Sequence, residues 1–96
     1  MPTRPSITLV GRASRLRCHS GHVSFLLTVK GKGQRPDLVV ECQAHREADI
    51  EAFETMDEGS LVGVIGKLQT LDEQLAHCIV RLDRLEILGK PLQEAA

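Results

Sequence analysis

The sequence predicts an all-β protein, a five-stranded barrel with one short helix between its third and fourth strands. Three observations carry that expectation. Apolar and polar residues alternate with a period of two through residues 6–18 and 22–30, and three further runs of strand length and apolar content follow. A single acid-rich stretch shifts to helical spacing. At 96 residues and 42% hydrophobic, the chain has room for one small domain with a thin core.

The first strand opens at Ser6. Ile7, Leu9, Gly11 and Ala13 take one side, Thr8, Val10, Arg12 and Ser14 the other, and the run continues through Cys18. Ser20-Gly21 is a turn signal. Residues 22–30 alternate again, with Val23, Phe25, Leu27 and Val29 inward and Ser24, Leu26, Thr28 and Lys30 outward. Two such runs around a glycine turn make a long hairpin. Residues 31–36 form a basic, glycine-containing loop, and a third strand over 37–44 draws its apolar content from Leu38, Val39, Val40 and Cys42.

Ala48, Ile50, Phe53 and Met56 then fall at near-helical spacing, predicting an amphipathic helix over 45–57 that Glu58-Gly59 ends. The fourth strand covers 60–68, where Gly63 and Gly66 permit a bend or a close backbone approach. A polar turn at 72–74 leads to a fifth strand over 77–88, and its change of phase at Asp83-Arg84 predicts a β-bulge. Residues 1–5 read as a disordered arm, 6–90 as the domain and 91–96 as a frayed tail.

Three strands, a helix and two strands is the element order of the OB-fold, a Greek-key barrel that binds oligonucleotides along its second and third strands and the flanking loops. A long, glycine-bent first strand suits a barrel in which one strand pairs on both sides.

Charge is segregated along the chain. The net charge is −1, yet residues 1–36 carry seven basic groups and no acid, and residues 37–80 carry ten acids against Arg46 and Lys67. One electropositive face for an anion follows. Arg12, Arg15, Arg17, Lys30, Lys32 and Arg35 are the candidate contacts to backbone phosphates, because they lie on the first strand and the loop that border the groove of such a barrel. The acids of the helical stretch 46–58 (Glu47, Asp49, Glu51, Glu54, Asp57 and Glu58) read as its outer face, a surface for a basic protein partner. Val10 and Leu26, on the outward phases of their strands, are the candidate self-association residues of a homodimer or homotetramer.

Other chemistry is poorly supplied. Cys18-His19-x-x-His22 and Cys42-x-x-His45 hold metal-type ligands, but their spacing matches no common zinc module and adjacent strand residues face opposite ways. Cys42 and Cys78 read as small, reduced core residues. There is no nucleophile elbow and no phosphate-binding glycine loop, so neither an enzyme nor a cofactor is expected. No apolar run approaches the ~18 residues that cross a bilayer.

Leu9-Val10-Gly11-Arg12, Phe25 to Val29, Gly59 to Leu68 and Val80 to Gly89 together resemble the bacterial single-stranded-DNA-binding protein family, in particular its cyanobacterial and plastid-type members. Primosomal replication protein N, a dimeric OB-fold relative, belongs to the same circle. The resemblance spans residues 6–90 and implies an OB barrel that binds single strands and associates through its first strand, where Val10 lies.

The departures are as informative. Such proteins stack bases on Trp and Phe of the third strand and loops. This chain has two Phe, no Trp and no Tyr, with Gln43 near a position where the resemblance implies Trp. The DNA-gripping loop between strands four and five shrinks to 69–76, and no acidic, aromatic-tipped tail follows Gly89. Stacking contributes ~1–3 kcal/mol per base, so binding that rests on phosphates alone is expected at about 10⁻⁴–10⁻⁶ M and strongly salt-dependent.

The expected function is therefore weak, non-specific binding of single-stranded DNA (or RNA) as an accessory to replication, repair or recombination, in the cytoplasm at the nucleoid. The alternative is an OB-fold interaction module that has given up nucleic acid and serves as a subunit of a larger assembly; the scarcity of aromatics favours it.

Overall fold

The computed structural model describes residues 6–72 and 77–91. The expected arm at 1–5 and the tail beyond Pro91 lie outside the described residues, as do 73–76 and the Cys78 side chain. Strand β1 spans Ser6–Cys18, β2 Val23–Val29 and β3 Leu38–Ala44; helix α1 spans Glu47–Glu54; β4 spans Leu61–Asp72 and β5 His77–Gly89. The strands close a barrel in the order β1-β2-β3-β5-β4, with β4 returning to β1. Every pairing is antiparallel except that of β3 with β5, which is parallel over Glu41–Gln43 and Ile79–Arg81. This is the OB-fold that the element order predicts.

Closure depends on β1. Its first half, Ser6 to Arg12, pairs with β4, and its second half, from Arg12 onward, pairs with β2. At the crossing sits Gly11, where a Cβ would strike the Thr28 carbonyl; only glycine lets the two backbones come so near. Further on, the register slips between Ser14 and Arg17 as Arg15 takes a left-handed φ of 52°. That bulge sharpens the bend of β1 around the barrel. The bulge predicted at Asp83-Arg84 is present, with Ile65 opposite Arg84 and Gly66 opposite Leu82. Gly66 admits the Arg81 carbonyl at that point.

The inward phases fill the barrel. Phe25, Leu27, Cys42, Val62, Val64 and Val80 are fully buried, and Phe53 and Met56 of the helical segment close one end. Phe25 and Phe53 stack with ring centroids 6.3 Å apart. Burying a side chain of this size contributes ~1.5–3 kcal/mol. Burial, helped by the nearby Glu41 carboxylate, pushes the Cys42 thiol up to about 12.

Three expectations are corrected. The helix is shorter than 45–57: beyond Glu54, Thr55 and Met56 donate to the carbonyls of Ala52 and Phe53, three residues back, and the turn tightens and stops. Its faces also differ. Ala48 is exposed and Asp49, expected outside, is 4% exposed. The reason lies in the sheet. β5 meets β3 only as far as Arg81, so further along its free edge meets α1, where Asp49 Oδ1 accepts the Leu85 N–H at 3.1 Å. Arg46 Nη1 donates to the Asp83 carbonyl on the same edge. Finally, β4 runs through to Asp72, paired with His77, where a loop from residue 69 was expected. Leu38 and Val39 are about half exposed because the start of β3 pairs with β2 alone.

Candidate nucleic-acid interface

The outward phases of β1, β2 and β3 form a groove of about 260 Å³, lined by Arg15, Arg17, His19, His22, Leu26 and Gln43 among others. Its position follows from the register. Arg17 lies opposite Ser24 and Leu26 opposite Glu41, so side chains of alternate residues on three adjacent strands face one channel. Arg15 and Arg17 enter it because the bulge inserts one extra residue between Ser14 and Arg17. Glu58 fixes the bulge, its carboxylate accepting the N–H groups of Arg15 and Leu16 at 2.9 Å each. The acid expected on the outer helix face is therefore a brace for the basic strand.

The predicted basic residues divide into three groups. Arg15 and Arg17 share the groove. Arg12 donates from Nη1 to the carbonyls of Gly59 and Lys90, at 3.3 and 3.2 Å, and lines no part of it. Lys30, Lys32 and Arg35 sit at the opposite end of the β2–β3 hairpin, six strand residues or about 20 Å from Val23. Their loop is closed by Gly31 N–H donating to Asp37 Oδ1 at 2.9 Å and by Arg35 N–H donating to the Lys32 carbonyl.

The histidines are brought together in a way the sequence reading missed. His19 and His22 stack with centroids 4.5 Å apart and planes 11° apart, and His22 and His45 with 4.8 Å and 15°. Tethers on both sides hold the ladder. Val23 pairs with Ala44, which sets His22 beside His45 at the open end of the hairpin. His19 N–H donates to the His22 carbonyl across the turn, and His19 Nε2 lies 2.7 Å from the hydroxyl of buried Ser24. The spacing of these residues was legible as a set of metal-type ligands. Only the strand register makes them a stack, and among the described residues no three such groups converge as a metal site.

A second groove of about 350 Å³ lies beyond His45, with Arg46, Lys67, Gln69, Arg81 and Asp83 in its walls. The strand register accounts for it, since Arg81 is opposite both Gln43 and Lys67. None of these cations belonged to the predicted set, which stopped at the basic N-terminal third. Val10 and Leu26 do not share a face. Val10 is 48% exposed and lines a shallow apolar groove with Ile65 and Leu88, whereas Leu26 is half-buried in the groove of Arg15 and Arg17.

No protein-family model matches the sequence, and no curated protein matches it. Solved structures do. The chain is similar to the mitochondrial single-stranded DNA binding protein of S. cerevisiae, at 13% identity over 93% of this chain and 99% of that one, with a TM-score of 0.77. It is similar to the small single-stranded DNA-binding protein of Streptomyces coelicolor, at 17% identity over 91% and 95% of the two chains, TM-score 0.73. It is also similar to an OBody bound to hen egg-white lysozyme, at 12% identity over 91% and 82%, TM-score 0.75. At these identities the likeness is one of fold. Among the described residues no helix is long and apolar enough to cross a membrane.

Proposed function

We propose that the chain binds single-stranded nucleic acid along the outer face of β1, β2 and β3, as an accessory to DNA replication, repair or recombination in the cytoplasm. The observation that carries this is the convergence of Arg15 and Arg17 in one groove on the face where OB barrels receive oligonucleotides. Two solved structures of the same fold are single-stranded DNA-binding proteins by description, which favours the same ligand here. Arg15 and Arg17 hold phosphates in the first groove, and Lys67 and Arg81 extend the track into the second. Lys30, Lys32 and Arg35 add contacts to strands long enough to reach the hairpin tip. Phosphate contacts position the strand without reading bases, so the binding is weak and non-specific. No catalytic step is assigned to the chain.

Self-association through the apolar groove of Val10, Ile65 and Leu88 completes the proposal, giving a homodimer or homotetramer. The other reading, a protein-binding barrel, draws support from the OBody, whose OB-fold holds a protein ligand. Charge reversal separates the two. R15E/R17E abolishes oligo-dT binding if the groove is the site, and leaves it unchanged if DNA is held elsewhere; no binding by the unmodified chain favours the protein-binding reading.

A further inference from the structure

The imidazoles of His19, His22 and His45 are aligned aromatic faces on a chain whose only two phenylalanines are 1% and 6% exposed. They also bridge the grooves, because His19 and His22 line the first and His45 lines the second. Around them cations outnumber carboxylates. Arg15 and Arg17 face Glu41 in the first groove, where Glu41 accepts from the Gln43 amide at 2.8 Å; Arg46, Lys67 and Arg81 face Asp83 in the second.

In the free protein the cations of the second groove oppose added positive charge on His45, whose neighbour His22 stacks 4.8 Å away. Partial desolvation, then the charges of Arg81 and His22, hold His45 below its ordinary value. A polyanion in the grooves reverses the field: its phosphates neutralise the arginines and face the rings, favouring imidazolium.

We propose that the ladder is a proton-linked contact for single-stranded nucleic acid, crossed by the strand as it passes from one groove to the other, with protons taken up as the phosphates arrive. This rests on the nucleic-acid reading above. Its sign follows from linkage. The bound state holds more protons than the free state, so affinity rises as pH falls, by at most about tenfold per pH unit for each proton taken up. His45 lies below the ordinary histidine value of 6.5 in the free protein and moves up as the phosphates arrive, so the effect falls around that value. When the rings are neutral only the outer faces of His19 and His45 are left for bases, since His22 is stacked on both sides, and binding persists more weakly.

The test is oligo-dT binding to the full chain at fixed salt from about pH 7.5 to 6, a range in which thymine does not titrate, for the unmodified protein and two triple substitutions. H19F/H22F/H45F keeps flat rings that cannot take a proton, and H19Q/H22Q/H45Q supplies a polar set should the first fail to fold. The expected result is a rise in affinity of about three- to tenfold as pH falls in the unmodified chain, and a flat profile in the substituted one. NMR of the imidazole protons should show their midpoints rising when the strand is added. Binding that is insensitive to pH, or equally sensitive with and without the histidines, overturns the proposal while leaving the nucleic-acid reading standing. No binding at any pH overturns both.

Discussion

The Glu58 carboxylate accepts both backbone N–H groups at the Arg15 bulge, from Arg15 to one oxygen and from Leu16 to the other. One acid from the turn after α1 thus holds the left-handed residue that aims the basic end of β1 into the groove. Glu58→Ala leaves those two donors to water. We expect a loss of about 1–2 kcal/mol in urea unfolding, towards the lower end of the ~1.5–3 kcal/mol of hydrogen bonds to charged groups because both bonds are exposed to water. Oligonucleotide affinity should fall with it, because the bulge loosens.

Arg15→Gly separates shape from charge. A left-handed non-glycine residue costs ~1–2 kcal/mol, and glycine's extra backbone entropy returns ~0.5–1 of that. Stability should stay within about 1 kcal/mol of the unmodified chain, while the salt dependence of oligo-dT binding drops by about one phosphate contact. A large loss of stability would show that the Arg15 side chain holds the fold.

Much of the fold was legible because strands with one buried face betray themselves by alternation. The phase of β1, the inward set Val23, Phe25, Leu27, and the bulge at Asp83-Arg84 follow from single-residue periodicity. The site was less legible, since it depends on register between strands far apart in sequence. Nothing local marks Arg81 as the neighbour of Gln43 and Lys67, or His22 as the partner of His45. Asp49 shows the same limit. Eight helical residues with acids on both sides give a weak face pattern, and only the free edge of β5 decides which acid turns inward.

Asp49 is accordingly a fold residue. Asp49→Ala leaves the buried Leu85 N–H without an acceptor and should cost ~1–3 kcal/mol by chemical denaturation. Asp49→Asn keeps the acceptor for the Leu85 N–H and replaces Oδ2, which has no hydrogen-bond partner among the described residues, so it should cost less than Asp49→Ala.

Arg12 and Arg17 should respond in opposite ways. Arg12→Ala removes bonds to the Gly59 and Lys90 carbonyls, lowering the midpoint of unfolding and leaving the salt slope of binding alone. Arg17→Ala should lower that slope by about one contact with little change in stability. The same slope for both variants would contradict the division.

The two described thiols should label unequally. Exposed Cys18 should react with a thiol reagent in the folded protein at about pH 8, whereas Cys42, buried and held protonated up to about 12, should react only on unfolding. The folded thiol titrates above the unfolded one, so its stabilising effect is complete below the unfolded value. It is lost as pH rises from about 9 towards 12. Cys42→Ala should flatten that alkaline decline.

The central claim is a phosphate track through Arg15, Arg17, Lys67 and Arg81. The most direct test is fluorescence anisotropy with a labelled oligo-dT of about 35 nucleotides at about 50 and 200 mM salt. The four contacts of the track at about 0.7 each give a slope near −2.8, steeper where the strand also reaches Lys30, Lys32 and Arg35, hence a loss of about fiftyfold or more across that fourfold change in salt. Micromolar binding at the lower salt with a loss of that order is the predicted result; no binding at the lower salt, or binding indifferent to salt, would contradict it.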